Sequence, residues 1–279
     1  MEYKDKFIGF IDILGFSELV KYSESGNGVK LSEINEYLIK LGSEKDVERV
    51  EKHGPITCPQ SKYLKSNLDF QLTQISDCVI VSSEVSPAGV INLVHHCWGA
   101  VIELLFHGIM CRGYITRGSI FHHGNQVIGT GYQKAYKTSE YGVTAFKKEA
   151  NERGTPFVEI DPVVCDYVYK ATDKCVKEMF SRMIKSEREI TALFPFKRLS
   201  HSFLITGIQG YKLNPQKEKE SNNNMRNTLN NIKLRVMYFV DKSNSDAIRK
   251  ANYYIKALDE QLILCDKIDK DIDFWSSSH

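Results

Sequence analysis

The ten residues FIGFIDILGF at 7–16 read as a buried strand running into a turn. Phe7–Leu14 is apolar and β-branched, the composition of a central strand covered on both faces. Gly15 ends the run, and Ser17, with Glu18 in the first turn, opens a helix. Asp12 is the anomaly: it is a carboxylate in an otherwise apolar strand, where an ion is costly unless paired or metal-bound.

Working outward, a second helical stretch covers about Leu31–Val50, and Glu51–Ser66, with Gly54, Pro55 and Pro59, reads as a loop. Leu68–Ile75 and Cys78–Ser82 alternate as two strands of a hairpin whose tip is Ser76-Asp77. Pro87–Phe106 reads as a helix with Val90, Val94, Cys97, Val101 and Leu104 on one face and Asn92, His96, Gly99 and Glu103 on the other. Arg112–Phe121 alternates as a strand, and Gln126–Ile128 is its short partner after the turn HHGN. Gly129–Glu140 is helical with Gly142 as its stop, Phe157–Ile160 is a strand, and a helix starts at Pro162. This order predicts an α+β fold: one mixed sheet with helices packed on it.

Farther on, Ala171–Phe194 reads as charged helix, Leu199–Thr206 as a strand, Lys212–Asn231 as a polar exposed loop, Leu234–Val240 as a strand and Ser245–Asp271 as a terminal helix. No repeat or boundary interrupts the pattern. A single domain over 1–279 is expected, with its core at about 6–165 and a C-terminal extension at 166–279 that completes the fold and carries a polar loop at about 212–231.

With 37 basic and 35 acidic residues, the net charge is +2, which argues against a protein that wraps a long nucleic acid. The seven cysteines form no CxxC and read as reduced thiols of a cytoplasmic protein. No signal peptide is read at MEYKDK, and Ala88–Phe106 is interrupted by Asn92, His95, His96 and Glu103, too polar for a membrane span.

Asp12 has two readings. It caps the following helix, or it joins the outward-pointing N–H groups of Leu14–Ser17 in a metal–triphosphate site. Asp77 is either a turn aspartate or a second metal ligand. If the first strand pairs with the hairpin, the two carboxylates converge at one end of the sheet. Two carboxylates there can hold two Mg²⁺ or Mn²⁺ ions.

FIDILGFSELV resembles the first metal-binding strand of class III nucleotide cyclases, QISDCVIVSS their hairpin with its second metal aspartate, and CRGYITRGSIFHHGNQVIGTGYQKAY the following strand pair and helix. Within that superfamily the chain is most similar to the pyrimidine cyclases of bacterial Pycsar antiphage systems, through Phe10–Phe16, Ser76-Asp77, Arg112–Ile115 and Gly129–Tyr136; the likeness covers about residues 6–165. The resemblance implies that Asp12, Asp77 and the Ile13 carbonyl hold two divalent ions, that Leu14, Gly15, Phe16 and Ser17 border the triphosphate, and that two copies form a head-to-tail homodimer with shared sites. The partner copy's helix then supplies a ribose-binding polar residue and a phosphate-binding cation. By spacing these are Gln133 and Lys137, where purine cyclases carry Asn and Arg. Gln still donates a hydrogen bond, and Lys still neutralises phosphate, without the fork of Arg.

The purine-recognising positions fall near Thr73 and Gln126, and neither residue matches. The implied activity is conversion of UTP to 3′,5′-cyclic UMP and pyrophosphate, the product acting on a separate effector protein. The alternatives are CTP as substrate, a purine cyclase with unusual base contacts, and a non-catalytic module that binds a nucleotide or a partner. Arg112 either reaches phosphate or base or pairs with a structural carboxylate. His122-His123, at a hairpin turn, lacks a Cys or carboxylate partner at metal-site spacing, and His95-His96 reads as the boundary of the core on its helix.

Overall fold

The computed structural model describes residues 1–54, 67–201 and 214–277. In chain order its elements are β1 (Lys4–Ile13), α1 (Phe16–Glu24), α2 (Leu31–Leu41), α3 (Glu44–His53), β2 (Gln71–Ile75), β3 (Cys78–Glu84), α4 (Pro87–Phe106), β4 (Cys111–His123), β5 (Gln126–Ile128), α5 (Thr130–Tyr141), β6 (Val158–Ile160), α6 (Pro162–Lys170), α7 (Lys174–Met183), β7 (Ile184–Glu187), β8 (Ile190–Leu193), a 3₁₀ turn (Pro195–Arg198), α8 (Pro215–Tyr238) and α9 (Ser245–Ser277).

The apolar run of β1 becomes the middle of the sheet. The strand order is β2-β3-β1-β4-β6-β8-β7, with β5 paired to β4. Most pairs are antiparallel and β4–β6 is parallel, so the sheet is mixed and the fold is α+β. Successive side chains of a strand point to opposite faces. A Cβ on Gly9 would meet Leu93 and Cys97 of α4, and Phe7 meets the Tyr167 ring of α6 edge-on at 5.1 Å. The alternate residues Ile8 and Phe10 share a cluster with Ile80, Ile120 and Ala135, on the side covered by α5. Asp12 continues that second series and so belongs to the α5 face.

The helix α5 lies close to the sheet because it meets it glycine to glycine. A Cβ on Gly131 would run into the Ile8 side chain, and one on Gly118 would stand 3.0 Å from the Gly131 Cα. Ala135, one turn on, is fully buried in the same cluster, and Tyr136 meets Phe10 edge-on at 5.5 Å. The G-x-x-x-x-x-A-Y pattern of Gly129–Tyr136 thus has a packing role.

The described chain forms two compact units, Met1–Leu104 with Ile109–Pro195, and Leu105–Gly108 with Phe196–His279. The sheet belongs to the first. In the second, α8 and α9 are tied side by side: Asn222 donates to the Cys265 carbonyl at 2.8 Å, and Arg226 pairs with Asp266 and Asp269.

Four expectations change. The stretch at 31–50 is two helices, because Gly42 (φ 143°) breaks it and Ser43 starts α3 with a capping box to Asp46. The expected helix over 171–194 holds only over α7; Ile184–Leu193 is a hairpin with Arg188 at φ 57° in its turn, its alternation masked by charge. The polar loop expected at about 212–231 is helical from Pro215, and the strand expected at 234–240 is the end of that helix. Asn214 caps it by accepting from the Lys217 N–H, and Leu229, Ile232 and Val236 recur at helical spacing on its buried side. The strand expected at 199–206 lies mostly outside the described residues.

Among the described residues, α4 is long and apolar enough to cross a membrane, but 72% of that window is buried inside the fold, so it is a core helix. Cys78, Cys97, Cys111, Cys165 and Cys265 are free thiols, whereas Cys175 is disulfide-bonded, against the expectation of reduced cysteines throughout.

Candidate functional site

Two ladders fix the end of β1. Asp12 stands opposite Cys78 on β3 and opposite Arg112 on β4, so the three side chains form one row across the sheet on the α5 face. The hairpin between β2 and β3 turns in two residues, Ser76 (φ 52°) and Asp77. Its tip is tied to β1 by the Ile13 N–H, which donates to the Asp77 carbonyl at 3.1 Å. The Leu14 N–H donates to the Met110 carbonyl at 2.9 Å, completing the strand end. The chain then enters α1 through Gly15, whose φ of 77° is left-handed and suits glycine.

The structure therefore brings Asp12, Ile13, Asp77 and Arg112 together, with Leu14, Gly15, Phe16 and Ser17 in the adjoining turn. It also bears on the capping reading of Asp12. The residue at the cap of α1 is Gly15, and no side chain caps that helix. The first-turn N–H groups carry the positive end of the helix dipole.

The carboxyl of Asp12 is pushed up to about 6, by burial first and then by the charge and hydrogen bond of Asp77; Arg112 opposes both. Arg112 Nη2 donates to Asp12 Oδ2 at 3.2 Å, and Nη1 donates to the Glu140 carbonyl near the end of α5 at 3.2 Å. The Asp12 and Arg112 side chains are 21% and 17% exposed, so solvent screens the pair only in part. Cys78 donates its thiol to the Ile75 carbonyl at 3.1 Å, and burial, then Asp12 and Asp77, push that thiol up to about 11.

This donor set suits a hard divalent cation. It offers carboxylate and carbonyl oxygens, and the two acidic side chains share a single guanidinium neighbour. Among the described residues no group of three or more His, Cys, Asp or Glu side chains is gathered for a metal. An ion here would rest on two carboxylates, the Ile13 carbonyl and oxygens from outside the chain.

Gln133 and Lys137 are not drawn into this row. Both are exposed on α5, opposite its buried stripe of Gly131, Ala135 and Ser139. The α5 cation engaged in its own chain is Lys134, which pairs with Asp161; that carboxylate also accepts from Thr116 at 2.6 Å and from the Val163 N–H at the start of α6. Thr73 is buried in a separate network. Its hydroxyl donates to the Gly124 carbonyl at 2.6 Å, so it accepts from His122 Nε2 at 2.9 Å, leaving Nδ1 to accept from Ser82 at 2.8 Å. His122 is thus a satisfied structural residue holding the β4–β5 hairpin to β2 and β3. Burial, then the Lys6 charge, pull its pKa down to about 4.

Sequence reading missed the pairing of Arg112 with Asp12 in particular. No local signal marks it: the pairing follows from the antiparallel β1–β4 ladder, which sets the end of one strand against the start of the other. Compared with known proteins, the chain matches no family model and no curated protein.

Proposed function

We propose that this protein is a nucleotide cyclase that converts UTP to 3′,5′-cyclic UMP and pyrophosphate. The observation that carries the reading is the convergence of Asp12 and Asp77 at one strand end, beside a helix start with no side-chain cap. The resemblance of the motifs around these residues to Pycsar pyrimidine cyclases names the reaction.

Asp12, Asp77 and the Ile13 carbonyl would hold two Mg²⁺ or Mn²⁺ ions, which when bound lower the pKa of an attacking hydroxyl and neutralise a triphosphate. The turn at Leu14–Ser17 would border the triphosphate through its backbone, with Arg112 as a cation beside it. In the reaction the ribose 3′-oxygen bonds to the α-phosphorus, the α–β phosphoanhydride bond breaks, pyrophosphate leaves and the hydroxyl proton passes to solvent. Gln133 and Lys137, exposed on α5, are free to meet a second copy of the chain, where they would contact ribose and phosphate in a head-to-tail homodimer. The cyclic product would act on a separate effector in antiphage defence within the cytoplasm.

The test is incubation of the purified chain with all four ribonucleoside triphosphates and Mn²⁺, read by mass spectrometry. Cyclic UMP, absent with Asp12→Ala, supports the reading. Cyclic CMP changes the base, and a cyclic purine product sinks the pyrimidine claim. A second reading, a non-catalytic nucleotide-binding module, is favoured by Gln133 and Lys137 standing where purine cyclases carry Asn and Arg. It predicts no cyclic product, and partner binding that survives Asp12→Ala and Asp77→Ala.

A further inference from the structure

A guanidinium offers five N–H donors in a rigid fork. Arg112 gives one from Nη2 to Asp12 and one from Nη1 to the Glu140 carbonyl, while its Nε is buried with no partner. The contact with Asp12 is therefore single, not the two-pronged pairing that makes arginine–carboxylate contacts strong. A buried donor left unpaired is itself unfavourable. Beyond Nη1 the neighbour is Gly154, where an added Cβ would stand 3.9 Å from that nitrogen. The guanidinium is thus held on the carboxylate side by one hydrogen bond, with its Nε unsatisfied.

Resting on the reading that Asp12 and Asp77 hold divalent cations, we propose that Arg112 is an exchangeable counter-ion. It neutralises Asp12 while no metal is bound, and it gives up that contact when a metal arrives. Its other arm keeps hold of the Glu140 carbonyl, so the exchange is felt at the C-terminal end of α5, the helix that carries Gln133 and Lys137. Arg112 is in this sense a positioning residue that couples occupancy of the carboxylates to the placement of α5. A coupling of this kind is reciprocal: what loosens Arg112 favours the metal, and the metal loosens Arg112.

The experiment titrates Mn²⁺ alone into the full chain, following the loss of the free-ion signal by electron paramagnetic resonance. Wild type, Arg112→Gln, Arg112→Lys and Asp12→Asn are compared, with hydrogen exchange over 138–144 as a second readout. Arg112→Gln, which removes the charge, is expected to bind Mn²⁺ about tenfold more tightly than wild type. Arg112→Lys keeps the charge and is expected to stay within about twofold of wild type. Saturating Mn²⁺ is expected to change exchange over 138–144 in wild type and not in Arg112→Gln. Equal or weaker Mn²⁺ binding by a folded Arg112→Gln overturns the counter-ion. So does unchanged exchange over 138–144 when wild type is saturated, a result that needs no variant to fold. Absence of Mn²⁺ binding in all four proteins overturns the carboxylate reading and the counter-ion with it.

Discussion

The Ile13 N–H donates to the Asp77 carbonyl at 3.1 Å, so the main chain ties the hairpin tip to the end of β1. The backbone thus sets the two carboxyls side by side, and their own side-chain hydrogen bond adds to a placement already made. Their substitution should therefore separate chemistry from folding.

Asp12→Asn and Asp77→Asn are each expected to lower formation of cyclic nucleotide by at least about 10³-fold, since each removes an anionic oxygen from the proposed metal pair. Both should keep the wild-type circular dichroism spectrum. Without metal, Asp12→Asn is expected to be more stable than wild type by about 1–2 kcal/mol at neutral pH, because it relieves an ion held against its preference. Thermal unfolding of the metal-free proteins checks the sign.

The same carboxyl predicts a pH dependence. Its folded value, about 6, lies above the unfolded one of 3.8, so its stabilising contribution is complete below the unfolded value and lost as pH rises through 6. Mn²⁺ needs the ionised form. The rise in melting temperature caused by Mn²⁺ should therefore be small at pH 5 and larger at pH 7.5. An equal rise at both pH values would contradict a binding site on Asp12.

His122 gives the opposite sign. Its folded value of about 4 lies below the unfolded 6.5, so its contribution is full above 6.5 and drains away as pH falls toward 4. Replacing it with Gln removes the titration. His122→Gln is expected to be less stable at pH 7, by about 1–3 kcal/mol, because Thr73 and Ser82 lose their shared partner. Its stability should fall less steeply than wild type between pH 6.5 and 4, as read from denaturant midpoints.

Alanine ordinarily favours a helix over glycine by about 1 kcal/mol. At Gly131 the sign should reverse, since the added methyl meets Ile8 and the Gly118 backbone. Gly131→Ala is expected to cost about 1–3 kcal/mol, and a chemical denaturation curve measures it.

Much of this was legible in the residues. The continuous apolar run of β1, the two-residue tip at Ser76-Asp77 and the Gly129–Tyr136 helix follow from local composition, and the mixed α+β sheet follows from their order. The pairing of Asp12 with Arg112 depends on a ladder between residues a hundred positions apart, which no local pattern announces. The helix over 215–238 was hidden for a different reason. Its buried side includes Glu218 and Asn222, polar residues whose burial rests on partners elsewhere: His201 holds Glu218, and α9 holds Asn222. The period of Leu229, Ile232 and Val236 was the available signal, and it was outweighed by the polar residues before it.

The strand β4 runs unbroken from Cys111 to His123, with Arg112 near its start and His122 near its end. Ten residues of extended chain separate these two side chains by roughly 33 Å. A slip of one place against β1 would turn both to the wrong face, leaving Asp12 without its cation and two hydroxyls without their imidazole. Misalignment is thus penalised at both ends of the strand at once, and β4 acts as a ruler whose length checks the register that sets Arg112 opposite Asp12.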